Sequence, residues 1–182
     1  MGGTVTWTGS DGSNPTVWSV AANWSAGAGG TAPPASDDDV IIANVTNDPV
    51  LDAPDTINSL VIQSGGNLDG DGNVLTVGGE SSATGYAVQL LDGSIITGTD
   101  TDITLTGSHG TDLDLVAGTG NLRHLVVNKS GDEARLNGAT TLSGNLTITA
   151  GTLTCNAALT VAGTTTIGDG SASATEATLT CN

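Results

Sequence analysis

The pentapeptide TLTCN stands at Thr152–Asn156 and again at Thr178–Asn182. Each copy follows a related segment, TLSGNLTI at Thr141–Ile148 and LTVAGTTTI at Leu159–Ile167. β-Prone strings that recur with Gly, Asn and Asp between them are the mark of a solenoid, in which each repeat is one coil stacked on the last. The copies are 26 residues apart, but the segments before them are only 19 apart, so the insert SASATE at Ser171–Glu176 reads as a bulged loop. Copies on neighbouring coils put Cys155 about 4.8 Å from Cys181, one strand spacing. A disulfide can span that distance. In-register parallel strands, however, hold their Cβ vectors parallel, which favours stacked, buried free thiols over a bridge.

Composition agrees with thin coils. Apolar residues make up 37% of the 182, with no Phe, one Tyr and three Trp. The core must then be built from Val, Ile, Leu and Ala, as ladders of aliphatic side chains. Gly (27 residues) with Thr, Ser, Asn and Asp supplies turn chemistry between β-branched strands. No window sustains a helical apolar period. Short apolar bursts such as Ser59–Ile62, Val74–Val77, Leu146–Thr149 and Thr152–Cys155 alternate inward Leu, Ile or Val with outward polar residues. At about 20–25 residues per coil, five or six coils follow an N-terminal region. The fold read from the sequence is all-β, a single-chain parallel β-helix (β-solenoid) with an N-terminal Trp-containing cap. Two-residue hairpin signals keep an antiparallel β-sandwich as the alternative.

The division falls after residue 56. Residues 1–56 hold Trp7, Trp18 and Trp24, all five prolines and the triplet Asp37–Asp39, and read as a cap or attachment region. The indoles there are read as core packing that seals the open end, with a platform for stacking sugars as the alternative. Residues 57–182 read as solenoid coils. The second TLTCN ends the chain in mid-repeat, so the expectation is that coils continue beyond it or that another chain covers that end.

The formal charge is −16, from 19 acids against Arg123, Lys129 and Arg135. Such a surface repels phosphates, which disfavours nucleic-acid partners, and it repels anionic membranes. No apolar run is long enough to span a bilayer, so no membrane insertion is expected. No signal segment opens the chain: either a leader was removed or none was used, and the second option fits a virion component released by lysis. The sequons at Asn23, Asn44, Asn128 and Asn145 carry little weight in a chain this rich in Asn, Ser and Thr.

Chemistry is sparse. Asp69, Asp71 and Asn73, alternating with Gly70 and Gly72, form the best metal-like string, a weak candidate for Ca²⁺. Counted from Asp69, Glu80 matches the twelfth EF-hand position, but Val74 stands where that loop demands Gly, and no helices flank it. The string reads first as a tight β-arc turn. Asp37–Asp39 reads as a solvated turn, with a Ca²⁺ site as its alternative. Thr-x-Thr pairs such as Thr147/Thr149 and Thr152/Thr154 are like the outward rows of insect-type antifreeze proteins, but they keep no fixed spacing. A catalytic cluster can be assembled from Arg123, His124, Lys129 and Arg135 with Asp112 and Asp114. The bases read instead as neutralising nearby acids. His109 has no obvious partner. No catalytic residue and no cofactor is assigned.

The opening pattern TVTWTG, VWSVAANWSAG and APPASDDDVII (Thr4–Gly9, Val17–Gly27 and Ala32–Ile42) resembles the start of repetitive bacterial surface proteins and phage structural proteins. The stretch NLRHLVVNKSGDEARLNGATTLSGNLTITAGTLT (Asn121–Thr154) resembles the coil repeats of autotransporter-type bacterial adhesins. The resemblance covers about half of the chain and carries over no catalytic residue. It implies display: a non-enzymatic structural or attachment protein on a virion, as a capsid decoration, fibre or tail component. A secreted bacterial cell-surface adhesin is the first alternative, and a polysaccharide-degrading β-helix enzyme the second. The expected setting is the virion or the extracellular cell surface, with other virion or cell-surface proteins, a glycan receptor or further copies of the chain as partners.

Overall fold

The computed structural model describes residues 2–81, 83–91, 95–97, 101–107, 111–115, 121–168 and 177–181. The chain is a parallel β-solenoid of about five turns, with one turn of 3-10 helix at Ala21–Asn23. Each coil has three faces, because three short strands are separated by corners rich in Gly, Asn and Asp. The first face stacks Thr4–Trp7, Asp39–Ile42, Ser59–Ile62, Tyr86–Leu90 and Thr111–Leu115. It continues through the second halves of His124–Leu136 and Leu146–Cys155 and ends on Ala177–Cys181. The second face runs from Asp55–Ile57 through Val74–Val77, Asp102–Leu105 and the first halves of the same two long strands to Thr165–Ile167. The third face is made of very short pieces: Asn67–Asp69, Ile95–Thr97, Asn121–Leu122, Thr140–Leu142 and Leu159–Val161. Among the described residues one pairing is antiparallel, Trp24–Ala26 against Thr4–Trp7. An antiparallel sandwich is therefore excluded.

Period-two alternation turns one side chain in and the next out. Leu146–Cys155 shows it as strict burial of every second residue on either side of the bend at Ala150-Gly151. In-register stacking then builds columns. Val5, Val40, Leu60 and Val88 lie over one another on the first face, and Ile57, Val77, Leu105, Val127 and Ile148 on the second, all fully buried. The first-face column ends on the two cysteines: Leu136 pairs with Cys155, and Cys155 with Cys181. Both thiols are free. Burial, and the Cys181 thiol one strand above it, push the Cys155 thiol up to about 12. The expected stacking holds, but not the burial of both, because Cys181 stands on the last described rung and is exposed. The segment Ser171–Glu176 lies outside the described residues.

Coil length varies while register does not. Ile42 pairs with Ile62 over 20 residues, Leu60 with Val88 over 28, and Leu136 with Cys155 over 19. The extra residues are taken up at the corners. At the start of the stack Trp24 lies edge-on to both Trp7 and Trp18, with centroids 4.8 and 4.7 Å away. Trp24 Nε1–H donates to Trp18 O at 2.7 Å. All three indoles are buried. They fill the interior that the first coil leaves open, and the antiparallel strand covers its edge. None presents a free face to a sugar.

Candidate functional site

The longest of these coil spacings, Leu60 to Val88, creates the most distinctive surface. Its surplus residues leave the second face at Gly78-Gly79 and drape over the outside of the first. Gly85 N–H donates to Ser81 O at 2.8 Å and Ser81 N–H to Tyr86 O at 3.0 Å, which closes the loop on itself. Beneath it the outward-facing Ser59 and Val61 are buried. Between loop and sheet lies a cleft of about 260 Å³. Its floor mixes Ile41, Val61 and Leu91 with Asp39, Gln63 and Gln89. Asp39 is held rigid, its Oδ1 accepting from Asn58 Nδ2 and Ser59 Oγ, both at 2.7 Å. Two amides and one fixed carboxylate among aliphatics suit a small polar ligand with an apolar face, which the amides orient.

The triplet Asp37–Asp39 differs from its sequence reading. Asp38 is buried. Its carboxylate accepts from the backbone N–H groups of Gly3, Thr31 and Ala35 at 2.9, 3.0 and 2.9 Å, and from the Thr31 hydroxyl at 2.8 Å. Burial alone would raise this carboxyl, but the hydrogen bonds from Ala35, Thr31 and Gly3 outweigh it and hold the group below its ordinary range. The solvated-turn reading failed because the partners are Gly3, just before the first strand, and Thr31 and Ala35 in the loop leading to the triplet, which the run of acids itself does not reveal.

Asp69, Asp71 and Asn73 form the tight turn. Asp71, at φ 44°, donates its N–H to Asp69 Oδ1 at 3.0 Å, and Gly72 follows at φ 77°. Asn73 Nδ2 donates to Leu51 O, one coil back, at 2.7 Å. Among the described residues no three His, Cys, Asp or Glu side chains converge on one point.

The basic residues part company. Arg123, at the corner before the second face, forms a two-point ion pair with Asp102 at 2.8 and 2.6 Å and reaches Gly72 O at 3.3 Å. Arg135 points outward on the first face and pairs with Glu133 at 2.9 Å. Glu133 is held below its usual range, first by the Thr154 hydroxyl one coil on, then by Arg135. Asp112 is in backbone register with Arg135 and Asp114 with Gln89, while His109 lies outside the described residues. Lys129 has acids nearby, Asp132 and Glu80, as expected, but from inside the coil. It is fully buried in the corner between the second and first faces, its ammonium donating to Thr106 O at 3.2 Å. Burial pushes its ammonium down in pKa, with Asp132 and Glu80 pulling the other way. The three residues thus occupy three different places on the coil.

His124 has a structural task that the sequence did not suggest. At one corner, each side chain accepts the backbone N–H of the residue one coil on. His124 N–H donates to Asp102 Oδ1 (3.2 Å), Asn145 N–H to His124 Nδ1 (2.7 Å) and Thr164 N–H to Asn145 Oδ1 (2.9 Å). An Nδ1 that accepts leaves the ring proton on Nε2. His124→Asn repeats the acceptor used one coil later and is expected to keep stability within about 0.5 kcal/mol, whereas His124→Leu should cost about 1 kcal/mol by stranding the Asn145 amide. Urea unfolding of the two variants at neutral pH checks the pair.

Comparison of the chain with family models, with curated proteins and with solved structures returns no match.

Proposed function

We propose that this chain is a non-enzymatic structural or attachment protein displayed on a virion, as a capsid decoration, fibre or tail component. One observation carries the reading. The described coils stack into a rod that holds a preformed cleft beside its Trp-sealed end. The eight described rungs of the first face span about 34 Å at the usual strand spacing, with the cleft near the Trp-sealed end of that run. That is the geometry of a spacer, which holds a contact surface away from its anchorage. The acidic surface supports an exterior setting, and the likeness of the opening pattern to phage structural and bacterial surface proteins points the same way. Solenoids also host adhesins and enzymes, so the test must separate the three.

Antibody labelling in the electron microscope, applied to intact cells and purified particles of the source, is expected to decorate particles. Label confined to cell envelopes selects the secreted adhesin, and label confined to the cytosol overturns display altogether. Depolymerisation of acidic polysaccharides, with or without Ca²⁺, would select the enzyme instead. On the display reading the cleft is the contact for a glycan receptor. Gln89→Trp, which fills it from an outward-facing position, is expected to lower binding to receptor-bearing cells at least tenfold. It should change stability by less than about 0.5 kcal/mol, as surface substitutions usually do.

A further inference from the structure

We propose that the cleft on the first face takes a single uncharged sugar ring, that Asp39 holds it through two neighbouring hydroxyls, and that the same carboxylate turns acidic sugars away. The inference rests on the reading of the cleft as a glycan contact and names the class of glycan.

Later rungs of this face turn Glu133, Arg135, Thr152 and Thr154 outward, as a solvated surface requires. The rungs at the cleft do not. Ile41 lies over Val61, and Val61 over Gln89, in one outward column, and Leu91 adds to the apolar floor. Three polar side chains line the same space with bonding capacity left over. Asp39 Oδ1 is taken by Asn58 and Ser59, but among the described residues nothing donates to its Oδ2. The side-chain amides of Gln63 and Gln89 likewise have no partner among the described residues. A carboxylate oxygen can accept from two hydroxyls, and each amide both donates and accepts. A ring with hydroxyls on its rim and C–H groups on its face uses all three polar groups and the aliphatic floor together. At about 260 Å³ the cleft falls below the roughly 300–1,000 Å³ of pockets for drug-sized ligands, so it holds one ring and not a chain.

Charge narrows the occupant further. Asp39 is the one carboxylate among the residues lining the cleft. Ca²⁺ takes about six to eight oxygen ligands, which this lining does not supply. A bare amine would use Asp39 and leave both amides idle. An acidic sugar would set its own carboxylate against Asp39 in a chain of −16. A like charge at the site is how a surface rejects a ligand of otherwise similar shape. The three bases are held elsewhere, Arg123 on Asp102, Arg135 on Glu133 and Lys129 inside the corner, so none offsets that repulsion. An uncharged ring meets every group without this conflict.

Amide NMR of the 17.8 kDa chain, titrated with the methyl glycosides of glucose, galactose and mannose and with methyl glucuronide, tests the proposal. A neutral glycoside is expected to shift the amides of Ser59, Val61 and Gln89 saturably, with the glucuronide binding about tenfold more weakly. The gap should narrow in about 1 M salt, where charges are screened beyond about 3 Å. Asp39→Asn keeps an oxygen for Asn58 and Ser59 but puts a donor in place of Oδ2. It should weaken the neutral ring about fivefold and close the gap between the two sugars. Should that variant fail to fold, the salt dependence and the sugar pair on the unaltered chain still decide. Equal or tighter binding of the glucuronide overturns the inference and leaves the glycan contact standing. Binding of glucosamine with no neutral glycoside bound, or a gap that Asp39→Asn leaves intact, overturns it in the same way. Shifts with none of these sugars overturn the glycan contact as well, while display on particles is read separately by the antibody labelling.

Discussion

Asp38→Ala is expected to lower unfolding free energy by about 4 kcal/mol, a large share of what a domain of this size possesses. The side chain ties Gly3, Thr31 and Ala35 together beneath the Trp end. Removing it leaves three N–H groups and one hydroxyl to find water or nothing. Asp38→Asn should cost about half as much. With its carbonyl oxygen at the Oδ2 position it keeps the three bonds from Thr31 and Ala35, but it turns an NH₂ toward the Gly3 amide. The pH dependence separates charge from shape. The folded carboxyl titrates below the ordinary value of 3.8, so its contribution is complete above that value and disappears as pH falls through the folded one. Guanidinium unfolding across the acid range should show the unaltered chain losing stability on this limb, with Asp38→Asn losing less of it.

Gly151→Val should cost at least about 4 kcal/mol or abolish folding. At φ 82° a side chain is strained wherever it is placed. A Cβ here would also lie 2.1 Å from Lys129 O and 2.5 Å from Asp132 O, backbone atoms of the previous coil that cannot retreat without parting the ladder. Gly72 supplies the control. It has nearly the same φ, 77°, but a Cβ there meets nothing within 4 Å, so Gly72→Ala should cost only about 1–2 kcal/mol. The difference between Gly151→Ala and Gly72→Ala in thermal unfolding isolates what close coil-to-coil approach requires at the bend between the second and first faces.

What was legible in the sequence follows from what repetition records. TLTCN fixed the pairing of Cys155 with Cys181 because parallel coils place equivalent residues in register, so identity in sequence becomes adjacency in space. The third face was legible only in part. Its strands, among them Asn67–Asp69 and Thr140–Leu142, are two or three residues long, too short to display a period of two, and they lie in stretches whose Gly and Asn read as turn. Corners hid still more. His124 in the acceptor row and Lys129 inside the bend depend on partners one coil away, and Asp38 on Gly3 as well as on Thr31 and Ala35 nearby, and local pattern is silent on these. The cleft arose from a length difference between coils, visible as spacing but meaningful only once the surplus loop was seen folded against the first face.

The constancy of register under changing coil length has a metrical consequence. Each coil contacts only its neighbours, and each adds one strand spacing, about 4.8 Å, to the axis. The reach of the molecule is therefore counted in whole steps, like notches on a ruler. Duplicating one coil between Glu133 and Gly151 would move the cleft one notch farther from the opposite end and leave its lining untouched. Corner insertions would alter what the shaft presents along its sides without altering its length. Reach and surface can thus vary independently, each through its own kind of sequence change.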